Sequence, residues 1–444
     1  MIYGEIQWIR LAHVCRRWRD VVFQSPRRLN LRLVCTPERP VGNILEIWPS
    51  FPLIIYGDYA IYSRPPSNDN TITALEHNDR VCRISLISLP VSKLEDIANS
   101  AAMQKPFPKL TNFLFHTFMD DHGRLPDSIL GGNAPRLRSL ILTGVTFLGL
   151  SKLLLSTTHL VDLHLHNIPH SGYIPPEAMA TSLSALTSLE HLSLRFQSPR
   201  PRPALESRRP LSRPLTRSIL PSLTDIRFKG ASEYLEEILA RIDTPRLNEL
   251  QITFFNQIIF DTPQLFQLIS RTPTLRSLET GLIEFDSEAT TITFLSQTSP
   301  YDVQLTVEIS CRTSEWQLSS LEQVCTKSLP PASTLEDLYI HEFSYFQQDW
   351  QDDVENTLWL ELLHPFTAVK NLYLPKTHVP RIAPALQELV GGRTTEVLPI
   401  LERIFLEGFQ PSGPLNEGIE KFVTARALTR HPVVVSHWDR YPEQ

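Results

Sequence analysis

The chain reads Pro-Arg-Leu-Arg-Ser-Leu-Ile-Leu from Pro135 to Leu142, and the same phrase recurs along most of its length. The phrase consists of an apolar residue, two variable residues, a second apolar residue, one variable residue and a third apolar residue. Side chains alternate along a β-strand, so the second and third apolar residues point to the same side. The phrase therefore predicts a short strand with one buried face.

Copies of this phrase follow one another at intervals typical of leucine-rich repeats. Between Leu110 and Leu275, the shortest interval, from Leu137 to Leu160, is 23 residues, and the longest, from Leu189 to Leu223, is 34 residues. The usual period is roughly 20 to 29 residues. The copies begin at Val81, Leu110, Leu137, Leu160, Leu189, Leu223, Leu247, Leu275, Leu335, Val369 and Leu401. The copy at Leu275 is weaker, because Thr280 stands in place of its third apolar residue.

The segments between the copies have the apolar spacing of helices, as from Ser232 to Ile242. One strand with one helix cannot bury its apolar face alone, so neighbouring units must stack. The sequence thus predicts an α/β, leucine-rich-repeat-like solenoid: a curved parallel sheet of short strands with helices outside. The alternative is a non-repeating α/β protein that shares a strand phrase. The asparagine that usually follows each strand is missing from nearly every copy, and Asn167 comes nearest to it.

Two segments interrupt the repeat. Residues 197–221 are rich in proline and arginine, which predicts an extended surface loop. A nuclear-localisation patch, an anion-binding arm and a phosphorylation region are the functional alternatives for this loop. Residues 286–334 contain a predicted strand at Val303–Ile309 and a predicted helix at Ser319–Lys327, which we interpret as a variant repeat.

An amphipathic basic helix is predicted near the N-terminus. Its apolar stripe comprises Leu11, Val14, Cys15, Trp18, Val21 and Val22. Arg10, Arg16, Arg17 and Arg19 occupy its other faces, and Ser25-Pro26 should end it. A plain N-terminal cap on the repeats is the simplest role for such a helix.

The phrase from Val14 to Arg19, Val-Cys-Arg-Arg-Trp-Arg, resembles the second half of an F-box. Together with the repeats and the segments Asn43–Pro49 and Trp359–Phe366, it makes the whole chain similar to the large fungal F-box families with leucine-rich-like repeats. The resemblance implies a partial F-box in residues 1–40 and an irregular repeat domain in residues 41–444. In that family the F-box binds the Skp-type adaptor of a cullin-based ubiquitin ligase, and the repeats select the protein to be ubiquitinated.

The sequence departs from the family in one respect. The family's F-box opens with a leucine-proline phrase and a first helix, and this sequence begins after that part. One expectation is a substrate-recognition subunit that binds the adaptor through its remaining F-box residues: Leu11, Val14, Cys15, Trp18 and Val22. The other is a non-catalytic repeat scaffold with a vestigial F-box and no link to a ligase.

The composition narrows the functional classes. The 444 residues include 42% hydrophobic and 20% charged residues, with a net charge of -6, as in a folded globular protein. Mild acidity gives no reason to expect nucleic acid as the main partner, and no apolar run is long enough to predict a membrane span. The five cysteines are widely spaced without a Cys-x-x-Cys pair, which predicts reduced thiols in an intracellular protein of the cytoplasm or nucleus.

No catalytic or phosphate-binding motif occurs in the sequence, so we predict a non-enzyme without a cofactor or metal. His164 and His166 lie two residues apart on a predicted strand, and we interpret them as part of a polar binding face rather than as metal ligands. Trp316, Trp350, Trp359 and Trp438 are predicted to be core or capping residues.

The variable residues of the strand phrase predict where an unknown target protein binds. They alternate with the buried residues and therefore lie on the opposite, concave face of the predicted sheet. Histidine, arginine and tyrosine are prominent there, and the last two are enriched at interface hot spots. The predicted partner-binding residues are His164, His166, Arg195, Arg227, Lys229, Tyr339, His341, Tyr373 and Phe405.

Overall fold

The computed structural model describes residues 14–24, 31–38, 41–47, 50–61, 68–117, 122–198, 217–257, 259–296, 303–342, 354–408 and 415–438. The chain divides into two compact units. Unit 1 comprises residues 1–223 and 241–244, and unit 2 comprises residues 224–240 and 245–444. Both units combine helices with mostly parallel strands, which confirms the predicted α/β class. The boundary predicted at residue 40 stays a prediction.

Unit 1 contains one sheet of parallel strands and two short strand pairs. The strands are β1 Leu33–Cys35, β2 Leu53–Asp58, β3 Val81–Leu89, β4 Asn112–Thr117, β5 Gly123–Arg124, β6 Ser139–Thr143, β7 Val145–Thr146, β8 Asp162–Ile168, β9 His191–Phe196, β10 Ser218–Ile219 and β12 Ile242–Asp243. The sheet order is β1-β2-β3-β4-β6-β8-β9, and every adjacent pair is parallel. The separate pairs β5–β7 and β10–β12 are also parallel.

Along the chain, the helices described in unit 1 lie before or between its strands. They are α1 Arg16–Gln24, α2 Val41–Ile47, α3 Asp69–Leu75, α4 Val91–Ala98, α5 Leu150–Ser156 and α6 Pro176–Ser184. Short 3-10 helices occupy Tyr59–Ile61, Ile129–Gly132 and His170–Gly172. The helix α1 ends at Gln24, next to the Ser25-Pro26 pair that was predicted to stop it.

Unit 2 contains a sheet in which one strand runs against the others. Its strands are β11 Asp225–Gly230, β13 Glu249–Phe255, β14 Thr280–Phe285, β15 Ala289–Leu295, β16 Val303–Ser310, β17 Asp337–Glu342, β18 Asn371–Leu374, β19 Arg403–Glu407 and β20 Val434–Trp438. Their order is β11-β13-β16-β15-β14-β17-β18-β19-β20. The strand β15 is antiparallel to both β14 and β16.

Seven α-helices are described in the part of unit 2 that the structure covers. They are α7 Ser232–Leu239, α8 Pro263–Arg271, α9 Pro273–Arg276, α10 Ser314–Lys327, α11 Asn356–Leu363, α12 Val379–Gln387 and α13 Glu417–Leu428. Short 3-10 helices occupy Pro330–Ser333 and Gly391–Arg393.

The strand phrase predicts which side chains of the strands are buried. Leu140 and Leu142 are 0% and 3% exposed, as expected for its second and third apolar positions. In the register of the sheet, Leu140 lies beside Leu163 and Leu142 beside Leu165, so the buried side chains stack from strand to strand. The repeat solenoid and the curvature of its sheet stay predictions.

Two details of the predicted repeats are wrong. Leu275 lies in the short helix α9, which Pro273 favours at its first position, and the next strand begins only at Thr280. The segment predicted as a variant repeat contains one strand more than predicted, β15, which is antiparallel to β14 and β16. Only three residues join β14 to β15, and so short a connection permits antiparallel strands but not a parallel crossover. The strand predicted at Val303–Ile309 is confirmed.

None of the five cysteines, all of which lie in the described residues, forms a disulfide bond. Cys35, Cys311 and Cys325 are buried, Cys82 is half-buried and Cys15 is exposed. Burial raises the pKa of the Cys35 thiol to about 11 and that of Cys311 to about 12, so both stay protonated at neutral pH.

Glu236 is a buried carboxyl group that joins α7 to α8. Its oxygens accept hydrogen bonds from the backbone N–H groups of Gln264 and Leu265, both at 2.8 Å, in the first turn of α8. Burial raises the pKa of Glu236 from 4.5 to about 7, although the two hydrogen bonds act to lower it. Because folding raises the pKa of Glu236, its protonated carboxyl group contributes fully to the stability of the fold below about pH 4.5. This contribution is lost as the pH rises through about 7.

We expect the variant Glu236→Gln to flatten this pH dependence, because its amide oxygen still accepts a hydrogen bond but does not titrate. Urea unfolding between about pH 5 and pH 8 should show wild-type protein losing stability relative to the variant, by about 1.4 kcal/mol per unit of pKa shift. Glu420→Gln, at an exposed position of α13, is the matched control. If the free energy of unfolding changes with pH in the same way for wild type and for Glu236→Gln, Glu236 does not titrate in this range.

Candidate protein-binding surfaces

The helix α1 rests on unit 1 through its C-terminal half. Val22 is 1% exposed, and the ring of Phe23 lies 5.7 Å from that of Phe51. At the other end, the backbone carbonyl of Cys15 accepts a hydrogen bond from the N–H of Arg19. Val22 and Phe23 therefore hold the helix against the rest of unit 1.

The rest of the apolar stripe, which begins before the first residue of α1, is exposed. Val14, Trp18 and Val21 are 64%, 49% and 53% exposed, and we call these three residues the helix patch. Trp18 and Val21 are three residues apart, so they are neighbours on the helix surface. Arg16 and Arg17 are exposed beside them and give the surroundings a positive charge. Exposed apolar clusters rimmed by polar residues are typical of protein-binding sites.

The predicted adaptor-binding residues fall into three groups. Val14, Cys15 and Trp18 are exposed, as an adaptor contact requires. Val22 is buried, so its assignment as a contact residue is wrong; it anchors the helix instead. Leu11 lies outside the described residues. The exposed residue that the assignment omitted is Val21, and its spacing from Trp18 was the available signal.

The predicted binding face of unit 1 carries histidines in contact with other polar groups. His164, His166 and Arg195 are half-buried on β8 and β9. The rings of His164 and His166 lie 5.7 Å apart in an edge-on arrangement, and His166 Nε2 is 2.9 Å from Ser193 Oγ.

This histidine pair does not resemble a catalytic arrangement. Ser193 is 1% exposed and therefore inaccessible as a nucleophile. The nearby carboxylate, Asp162, lies 2.9 Å from His191 Nδ1. Among the residues that the structure describes, no group of three or more histidine, cysteine, aspartate or glutamate residues is placed to hold a metal ion.

A basic cavity of about 490 Å³ lies at the start of the strands of unit 1. Arg32, Arg83 and Arg138 line it. The remaining lining residues are Thr111, Asn112, Ser139, Val161 and Asp162. Sequence analysis did not predict this cavity, because its arginines come from three distant segments.

The predicted residues of unit 2 are divided between two places on the sheet. On β11, the guanidinium of Arg227 lies between Asp225, at 3.3 Å, and Glu249, at 3.2 Å. Lys229, on the same strand, lines a second cavity of about 920 Å³. Arg227 and Lys229 therefore lie among carboxylates, not in a basic patch.

Four of the predicted residues meet on strands β17, β18 and β19. Tyr339 and Tyr373 stack with ring centroids 3.9 Å apart and planes 8° apart, and Tyr373 stacks on Phe405 at 4.4 Å and 5°. The ring of His341 lies 6.2 Å from that of Tyr339. We call Tyr339, Tyr373 and Phe405 the aromatic ladder, which forms because these residues are in register on adjacent parallel strands.

Trp438 of the last described strand lies across the ladder. Its ring centroid is 5.9 Å from that of Tyr339 and 5.6 Å from that of Tyr373, at steep angles of 63° and 70°. It is close to parallel with His341, at 5.6 Å and 27°. Burial and a hydrogen bond with Tyr373 raise the pKa of Tyr339 well above its usual range, so its hydroxyl stays protonated.

The prediction that the tryptophans are core or capping residues holds for some of them and not for others. Trp359 is 1% exposed, which confirms its place in the core. Trp316 is 47% exposed and lines the 920 Å³ cavity, so the core prediction is wrong for it; the N-terminal turn of α10 carries it at the surface. Trp438 is half-buried on the ladder, and Trp350 lies outside the described residues.

Within the described ranges, no helix has the length and apolar character needed to cross a membrane. Comparisons with models of known protein families and with curated proteins gave no match to this chain.

Proposed function

We propose that this protein is a non-catalytic receptor that binds a Skp-type adaptor of a cullin-based ubiquitin ligase through α1 and a target protein through its sheet faces. The single observation that supports it best is the helix patch. Trp18 and Val21 are exposed on α1, and Val14 is exposed two residues before it, while Val22 and Phe23 pack the helix against the rest of unit 1. The phrase that resembles an F-box thus presents its tryptophan outward.

The energetics of the helix patch favour a partner. Burying a large apolar side chain stabilises a complex by about 1.5–3 kcal/mol, and tryptophan is among the commonest hot-spot residues of protein interfaces. The helix is anchored before binding, so little conformational entropy is lost when a partner covers the patch.

The sheet faces supply the second part of the proposal. They present histidine, arginine and tyrosine side chains in rows set by the strand register, as at His164, Arg195 and Tyr339. Aromatic residues and arginine are enriched at protein interfaces.

A repeat scaffold without a ligase link is the competing proposal. The helix α1 has 9 residues, of which Trp18 and Val21 are the exposed apolar ones. A standard protein interface covers about 800 Å² on each partner. The helix patch alone is smaller than that, so a stable adaptor complex requires contacts beyond it.

A pull-down with purified Skp-type adaptor separates the two proposals. We expect wild-type protein to retain the adaptor and Trp18→Ala to weaken binding by about 30-fold, the effect of losing a hot spot of about 2 kcal/mol. Trp316→Ala is the matched control, because Trp316 is 47% exposed and Trp18 is 49% exposed. Equal retention of wild type and Trp18→Ala would exclude the helix patch, and no retention of wild type would favour the scaffold.

A further inference from the structure

We infer that the sheet face of unit 2 around the aromatic ladder binds an extended segment of a partner protein that carries arginine or lysine. The inference rests on the proposed receptor function and names the chemical class of its target. Two features of this face support it: an aromatic surface on strands β17 to β20, and carboxylates on the nearby strands β14 and β16.

The aromatic ladder forms a rigid surface. Its rings are stacked at 3.9 and 4.4 Å, and Trp438 and His341 pack against it at 5.6–6.2 Å. The five side chains hold one another in place, so a ligand would immobilise no free side chain there. Tyrosine and tryptophan rings attract cations, with arginine the most frequent partner.

Carboxylates continue the same face next to the ladder. In the sheet register, His341 lies beside Glu284, Glu284 beside Thr291 and Thr291 beside Glu308. The 920 Å³ cavity at this place is lined by four acidic residues: Glu284, Asp286, Glu288 and Glu308. The cations that line it are Lys229 and Arg312, and Arg312 lies 3.3 Å from Glu288. The excess of negative charge favours a basic occupant.

The distances fit an extended peptide. From Glu308 on β16 to Tyr339 on β17, the face crosses three strand-to-strand steps. Each step is about 4.8 Å, and an extended chain advances about 3.3 Å per residue, so roughly five residues connect the two places. If a basic residue of the segment lies over Glu284 and Glu308, the residues that follow it reach the aromatic ladder. The same carboxylates repel acidic segments and nucleic acid.

The test uses a fluorescein-labelled synthetic peptide in which arginine alternates with proline, and the same peptide with glutamine in place of arginine. We expect fluorescence anisotropy to show binding of the arginine peptide to the full chain and clearly weaker binding of the glutamine peptide. Replacing both Glu284 and Glu308 by glutamine should weaken binding of the arginine peptide about fivefold, the size expected for two surface ion pairs. Trp438→Ala should also weaken it.

The matched control replaces Glu361 and Glu420 by glutamine, since both are exposed on helices of unit 2 and change the net charge equally. Equal affinities for the two peptides, or unchanged affinity of the Glu284→Gln, Glu308→Gln variant, would overturn the inference. Circular dichroism confirms that each variant is folded before its affinity is compared. Adaptor retention is measured on the same proteins: its loss with peptide binding intact contradicts the receptor proposal alone, and the reverse result contradicts this inference alone.

Discussion

Replacing Trp359 by alanine is expected to lower the free energy of unfolding of unit 2 by about 3–5 kcal/mol, the usual cost of removing a buried aromatic side chain. Trp359 of α11 is 1% exposed. Its ring lies 5.8 Å from Phe285 of β14 and 6.0 Å from His378, both nearly edge-on. Phe285 and His378 also stack on each other at 5.7 Å, so the indole completes a cluster of three buried rings.

The measurement is urea unfolding followed by circular dichroism, because a change in fluorescence would itself follow from the loss of a tryptophan. Trp316→Ala serves as the control and should change stability by less than about 0.5 kcal/mol, as exposed substitutions usually do. Unchanged unfolding of Trp359→Ala would mean that α11 does not pack on β14 as described.

A loss of similar size, about 3–5 kcal/mol, is expected from Arg426→Ala, because removal of a buried cation leaves its acceptors unsatisfied. Arg426 of α13 is 0% exposed. Its guanidinium donates hydrogen bonds to the backbone carbonyls of Thr394, Pro399 and Leu401 at 3.0, 3.2 and 3.1 Å. Burial lowers the pKa of Arg426, but its carbonyl partners keep the cation solvated by the protein itself.

Arg426→Lys distinguishes geometry from charge. A lysine has the same charge but lacks the planar fork that reaches several carbonyls, so this variant should recover only part of the loss. Arg276→Ala, at an exposed position, is the control and should unfold like wild type. Full recovery by Arg426→Lys would contradict the importance of the forked hydrogen bonds. Both variants are measured by thermal and urea unfolding.

The local part of the fold could be predicted from the sequence. A strand phrase with apolar residues two apart specifies which side chains are buried, because alternation along a strand is a property of the backbone. For that reason Leu140 and Leu142 are found in the core. The antiparallel strand β15 was not predicted, since Ala289–Leu295 lacks the phrase and its pairing depends on the short turn before it.

The candidate sites depend on contacts that a single sequence does not reveal. The predicted apolar stripe includes both the buried Val22 and the exposed Trp18. Which of them faces the core depends on contacts with distant parts of the chain, such as that of Phe23 with Phe51. The aromatic ladder likewise requires the register of β17, β18 and β19, whose residues are separated by more than thirty positions in the sequence. The residue types were predicted there, but their stacking was not.

The most direct test of the receptor proposal is hydrogen–deuterium exchange of the full chain with and without purified Skp-type adaptor. We expect the adaptor to slow exchange of the backbone amides in residues 14–24, with no change in the strands β17 to β20 around the aromatic ladder. Protection that is absent from residues 14–24 at saturating adaptor would contradict the account, because α1 would then not be the adaptor site.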